Sequence, residues 1–346
     1  MAIINKPSEH FETSLYTGTG SSLSISSLDF SPDLTWIKKR SGATEHVLTD
    51  SVRGVTKELS SNDTGAEETV AQGLTAFGSD GFTVGTDGSY NTSSATYASW
   101  NFKAGGTASS NTDGSITSSV SSNTTSGMSI VSYTGNATAG ATVGHGLGSV
   151  PKMIIVKDRD ASKNWTCYHQ AMGNDRSISL NLTNAQSVST DHWNYTTPTS
   201  SVFSLGNYSH VNTTDDYIAY CFAEKQGYSK FGSYTGNGNA DGTFVYTGFK
   251  PAFILVKRSS ASGDNWLMFD NKRDTYNVTE NFFEANSSDA EKTSASQKVD
   301  FLSNGFKMRA TGAASNGSGS TYIYMSFASE PFTTSTTNGS IPATAR

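Results

Sequence analysis

The sequence predicts an all-β protein built as three tandem β-sandwich, jelly-roll-like units of roughly 100 residues each. Three observations predict it: landmarks that recur in matching order, short apolar alternations bounded by Gly, Asn, Asp and Ser, and almost no helical periodicity. Composition agrees. Ser and Thr together supply 97 of 346 residues, and aromatic residues 11%. Thr, Tyr and Phe suit a pleated, half-buried surface, and that many aromatics placed at intervals is ample material for cores despite the low charge.

Each unit opens on the same tripeptide, Tyr16-Thr-Gly18, Tyr133-Thr-Gly135 and Tyr234-Thr-Gly236. A proline then begins a strand that reaches a lysine six residues later: Pro32 to Lys38, Pro151 to Lys157 and Pro251 to Lys257. The second and third of these strands are continuously apolar, which predicts a strand covered on both faces. A tryptophan segment follows at Trp165 and Trp266, with His46 at the matching place in the first unit. Next come Phe82, Phe203 and Phe306, and each unit closes on Tyr97-x4-Phe102, Tyr217-x4-Phe222 or Tyr322-x4-Phe327. The separation from proline to closing Phe is about 70 to 76 residues in all three, which points to duplication. In the closing segment, alternation places Ala98, Trp100 and Phe102 on a core face and Tyr97, Ser99 and Asn101 on a wetter one.

The boundaries follow: an N-terminal arm over 1–12, units over 13–106, 128–227 and 228–332, a Ser/Thr-rich linker or extended strand-like crossing over 107–127, and a polar tail over 333–346. The direct joint between the second and third units predicts a rigid pair, with the first freer to move. Arm and tail lack sheet pattern and are expected to serve assembly.

A net charge of −6 with scattered basic residues argues against nucleic acid as a partner. No apolar run approaches a membrane span, and residues 1–6 lack the apolar stretch of a signal peptide, so synthesis in a cytoplasm without membrane insertion is expected. Cys167 and Cys221 are too few for a disulfide framework or a metal site and read as buried free thiols.

The search for chemistry returns little. Asp50, Asp80, Asp87, Asp215, Asp216, Asp270, Asp274, Asp289 and Asp300 stand in turn-like contexts, where Asp bonds its own backbone. The six His have no metal-ligand spacing, and the glycine runs lack the setting of a phosphate cradle, so no enzyme, metal or other cofactor is expected. Asp50-x-x-Arg53 and Asp270-x-x-Arg273 share a spacing that reads as a local ion pair bracing a turn, worth about 0–1 kcal/mol if exposed. The most ligand-like segment is His192-Trp193-Asn194-Tyr195, preceded by Asp191: flat rings beside amide and carboxyl groups suit sugar contact, whereas a Trp193 tucked into the domain edge is the plain alternative.

Several runs together resemble a domain of uncharacterised function common in marine phage and cyanophage genomes: Leu15-Tyr-Thr-Gly-Thr-Gly20, Phe30 to Arg40, Asp50-Ser-Val-Arg-Gly54, Ser79 to Val84, Tyr97 to Gly105, Tyr217 to Glu224, Asp270 to Asp274 and Ala343 to Arg346. The resemblance implies a virion-associated protein, a tail-fibre, tail-appendage or head-decoration component, with no active site to carry over. The expected partners are other virion proteins and further copies of the chain, a trimer by analogy, with a host-surface glycan as a secondary contact. A carbohydrate-binding module and a glycan depolymerase are the rivals from other classes.

Overall fold

The computed structural model describes residues 3–332. Among the described residues almost every element is an antiparallel strand; the three α-helices, Gly88–Asn91, Thr190–Trp193 and Ala313–Asn316, are single turns, and Pro7–Glu9 is a turn of 3-10 helix. Three large sheets repeat one order. In the first unit it runs Phe11–Thr17, Thr96–Phe102, Leu34–Lys39, Val47–Asp50, Lys57–Ser60, Glu68–Thr69. The second unit follows with Met128–Thr134, Asp216–Phe222, Met153–Asp158, Thr166–His169, Arg176–Ser179 and Ser187–Val188, and the third begins with Ser229–Thr235, Thr321–Pro331 and Phe249–Arg258. Thus the lysine-ended strand always lies beside the closing strand, an interior position that suits the continuous apolarity of the second and third.

A small sheet covers the outer face of each large one, and the space between them holds that unit's own core. The other face of all three large sheets is shared. Trp36, Trp100 and Phe102, Trp165, Tyr220 and Phe222, and Phe253, Trp266 and Phe327 belong to one cluster. Both faces of the closing strands are therefore inside the protein. Tyr97, Ser99 and Asn101 are fully buried, which overturns the wetter face expected for them; the Asn101 amide nitrogen donates to the Glu12 and Ser99 carbonyls and the Ser99 hydroxyl, while its Oδ1 has no partner.

The first unit is no looser than the others, contrary to the expectation from its linker, because its closing strand supplies Trp100 and Phe102 to the shared core. The arm is likewise part of the fold. Phe11 starts the first strand and contacts Phe253 and Phe327 of the third unit, and Ile4 is buried in the same cluster. Nor is 107–127 a linker. Ser109–Asn111 and Ser118–Asn123 form a hairpin that extends the second large sheet to eight strands. Its Ser118, Val120 and Ser121 are buried, so small hydroxylated residues here do strand work. The tail at 333–346 lies outside the described residues.

The landmarks acquire physical reasons. The Tyr of each opening tripeptide stacks on the Tyr of the closing strand, Tyr16 on Tyr97, Tyr133 on Tyr217 and Tyr234 on Tyr322, at 5.0–5.2 Å. The Gly must be Gly: a Cβ at Gly18, Gly135 or Gly236 would lie 2.2, 2.3 or 2.4 Å from a carbonyl oxygen of the facing loop. That loop is pinned by a buried Asn91, Asn212 or Asn316, whose amide donates to carbonyls on both sides, such as Thr138 O and Gly206 O for Asn212.

The units join in a closed ring. Lys38 of the first unit donates to Ser288 O of the third, Lys157 of the second to Thr64 O of the first, and Lys257 of the third to Thr183 O of the second. All three side chains are fully buried. The same junctions carry Trp165 Nε1 to Ser60 O at 2.8 Å, Trp266 Nε1 to Ser179 O at 2.9 Å, and Ser61 Oγ to Ala285 O at 2.6 Å.

Candidate functional site

The two Asp-x-x-Arg motifs sit not in exposed turns but at these junctions, next to the shared core. Asp50 and Arg53 pair at 2.5 Å and Asp270 and Arg273 at 2.6 Å, with all four side chains at 0% exposure. The carboxylates also accept backbone N–H groups and one donor from the neighbouring unit: Tyr220 OH on Asp50 at 2.8 Å, and Trp100 Nε1 on Asp270 at 3.2 Å. At the third junction the matching triplet is His169, Met172 and Met325. With no side-chain donor opposite it, His169 meets the Tyr324 carbonyl at 3.1 Å instead. Carboxylate, guanidinium and donor are thus replaced together by a neutral set. Outside them, Arg159 forks onto Glu67 and Arg40 onto Glu291, while the third junction has Ser259 and Gln186 in those places. The arrangement is structural: every charged group is spent on a partner.

The aromatic segment nominated from the sequence divides between inside and outside. Trp193 is 1% exposed and packs on Tyr168 in the second unit's own core. This unit has only two strands in its small sheet, Ala141–Gly144 and Val202–Leu205, and the turn Thr190–Trp193 stands where the others place a third. Trp193 is therefore core filler, not a sugar platform. His192 is buried too, accepts or donates at Ser189 Oγ at 2.6 Å, and stacks near Tyr208 at 4.3 Å. Burial, with His210 adding, pushes its pKa down to about 4. Asp191 and Tyr195 are exposed and Asn194 is half-buried; Asn194 and Tyr195 have left-handed backbone, and Tyr195 is the segment's one freely exposed ring.

A cluster that sequence reasoning missed lies in the first unit. Glu45, Glu58, Asp63 and Glu68 line a cavity of about 110 Å³. Burial pushes the Glu58 carboxyl up to about 7, Asp87 and Glu68 add to the rise, and the Tyr90 hydroxyl opposes it. A carboxyl with that pKa exchanges a proton near neutrality, but the cavity holds roughly three waters at about 30 Å³ each, less than a sugar ring needs. No spacing in the sequence joins these acids; strand pairing sets Glu58 opposite Glu68, and loops bring Glu45 and Asp63 to them.

Two cavities of about 430 and 440 Å³ flank the loop that carries the chain from the second unit into the third. They share Ile3, Lys225 and Gln226. The first is bounded further by Glu224, Lys230 and Tyr246, and the second by Lys6, Glu9 and His10. Tyr246 stands on the strand Phe244–Tyr246 at the edge of its small sheet and is 59% exposed. Among the described residues no cluster of three or more His, Cys, Asp or Glu has the arrangement of a metal site, and no helix is long and apolar enough to cross a membrane. Cys167 and Cys221 are unpaired, and they point to opposite faces of one sheet, one into the shared core and one into the second unit's own.

A family model described as Domain of unknown function (DUF7483) matches residues 6–331, and the chain belongs to that family. The match spans all three units and much of the arm. No curated protein and no solved structure matches the chain.

Proposed function

We propose that this member of the family is a structural component of a bacteriophage virion, a tail fibre or tail appendage, that contacts host-surface glycans as a secondary role. The observation that supports the reading is the ring itself. Three sandwiches spend their best apolar faces, their buried lysines and their ion pairs on one another within a single chain. Such a body resists local opening, because no unit leaves without exposing the shared core. That is the property a load-bearing particle component needs. The sequence resemblance to phage domains points the same way. Further copies of the chain, a trimer by analogy, and other virion proteins would meet it on its outer faces.

Peptide mass spectrometry of purified particles from the phage that encodes the chain, with gold-labelled antibody under the electron microscope, tests this. Signal on the tail is expected; signal on the head would instead favour a capsid-decoration protein, and absence from particles would overturn the proposal. A second reading, a glycan depolymerase, draws on the raised pKa of Glu58 alone and has against it a cavity smaller than a sugar ring. It requires that Glu58→Gln abolish the release of reducing ends from a host polysaccharide. A carbohydrate-binding module without a virion role is the reading left if the chain binds glycans but is absent from particles.

A further inference from the structure

The paired cavities around Lys225 carry an inference that rests on the glycan-contact part of the proposed function. The Lys225 stem lies along Gly127 so closely that a Cβ there would come within 2.9 Å of Cε and 3.0 Å of Cγ. This holds the side chain in place where it lines both cavities. Among the described residues no carboxylate pairs with it. The acids nearby are engaged elsewhere, Glu224 with Lys230 at 2.7 Å and Glu9 with Lys6 at 3.1 Å. Burial lowers the Lys225 pKa with no opposing anion, so the ammonium stands in a partly dry place without compensation. An incoming carboxylate would supply that compensation as a charge-assisted hydrogen bond.

The rest of the groove suits a sugar chain. Tyr246 offers an exposed ring at the rim of the first cavity, and an aromatic face stacks on the C–H face of a pyranose. Gln226 is exposed between the cavities and brings an amide that both donates and accepts. Each cavity, at about 430 or 440 Å³, falls within the range of about 300–1,000 Å³ usual for small-ligand sites. The two adjoin at Ile3, Lys225 and Gln226, so together they accommodate more than one ring. We infer that this groove binds an acidic saccharide, with a uronate carboxylate on Lys225 and a neighbouring sugar ring stacked on Tyr246.

The test is calorimetric titration of the full chain with tetramers of galacturonate, mannuronate and guluronate, and with the methyl ester of each, which keeps the rings and masks the charge. At least one free acid should bind, and its ester should bind at least tenfold more weakly. Lys225→Met, which preserves the stem against Gly127, should weaken the acid at least tenfold and leave the ester unchanged. Tyr246→Ala, at an exposed rim position, should weaken both acid and ester. Failure of every acid to bind, or equal binding by Lys225→Met with unchanged melting temperature, would overturn the inference. The virion proposal stands or falls separately, on particle composition.

Discussion

Replacing Arg53 by Met should be one of the most damaging single changes in the protein, and its repair should be possible by a specific set of further changes. Arg53 lies wholly inside, bonds Asp50, donates to Leu48 O at 2.8 Å and reaches Tyr220 OH at 3.3 Å. Its removal leaves Asp50 as a buried carboxylate with two backbone N–H groups and one phenol for partners. Breaking a buried pair in this way costs about 3–5 kcal/mol. At an unfolding entropy of about 2.1 cal/mol/K per residue, a chain of this size has roughly 0.7 kcal/mol/K, so a loss of about 4 kcal/mol lowers the melting temperature by about 6 °C. The third junction shows how the same place is filled without charge: His169, Met172 and Met325. The triple variant Asp50→His, Arg53→Met, Tyr220→Met copies that set and should regain at least half of the loss. Thermal melts followed by near-ultraviolet circular dichroism, with urea midpoints as a check, supply the numbers. An Arg53→Met melting temperature within about 1 °C of the parent, or a triple variant no better than the single one, would refute the reasoning.

Other outcomes follow from the same packing. Gly18→Ala, Gly135→Ala and Gly236→Ala should each destabilise by roughly 1–3 kcal/mol through contact with a facing carbonyl, whereas a Cβ at Gly78, which has no left-handed backbone, meets its nearest atom at 3.5 Å and Gly78→Ala should cost less; urea titration ranks them. Lys38, Lys157 and Lys257 have pKa values lowered by burial to about 8. Below pH 8 both the folded and unfolded chain hold these protons. Between 8 and the ordinary lysine value the unfolded chain binds more, so stability should rise with pH across that window, and Lys157→Met should flatten the slope. A urea midpoint that falls steadily from pH 8 to about 9.5 would contradict this. Burial pushes both thiols far up, so Cys167 and Cys221 should ignore a thiol reagent in the native protein and both react after unfolding.

The fold class was legible because the landmarks are backbone requirements. The tripeptide Gly marks a close approach, and the continuous apolar run before Lys157 and Lys257 marks a strand with a core on either side. The shared core was not legible, since periodicity tells which residues are buried but not which neighbour buries them. Tyr97, Ser99 and Asn101 show the cost of that gap: a polar alternation faces water in a lone sheet and faces a second core here. The hairpin over 109–123 was hidden by its Ser and Thr, which read as linker by composition and as strand only once a partner edge exists. Among site residues, the spacing in Asp50-x-x-Arg53 pointed to the pair, yet nothing local told that Tyr220 would complete it from another unit. Trp193 left both readings open because a large ring beside Asn and His fits a missing strand as well as a sugar, and its burial decides for the tucked position.

That the three sandwiches make one body is the claim on which the rest depends, and differential scanning calorimetry of the whole chain tests it most directly. A shared core predicts a single transition in which the calorimetric and van't Hoff enthalpies agree. Three separable transitions, or a calorimetric enthalpy about three times the van't Hoff value, would mean that the units melt independently and that the ring does not bind them.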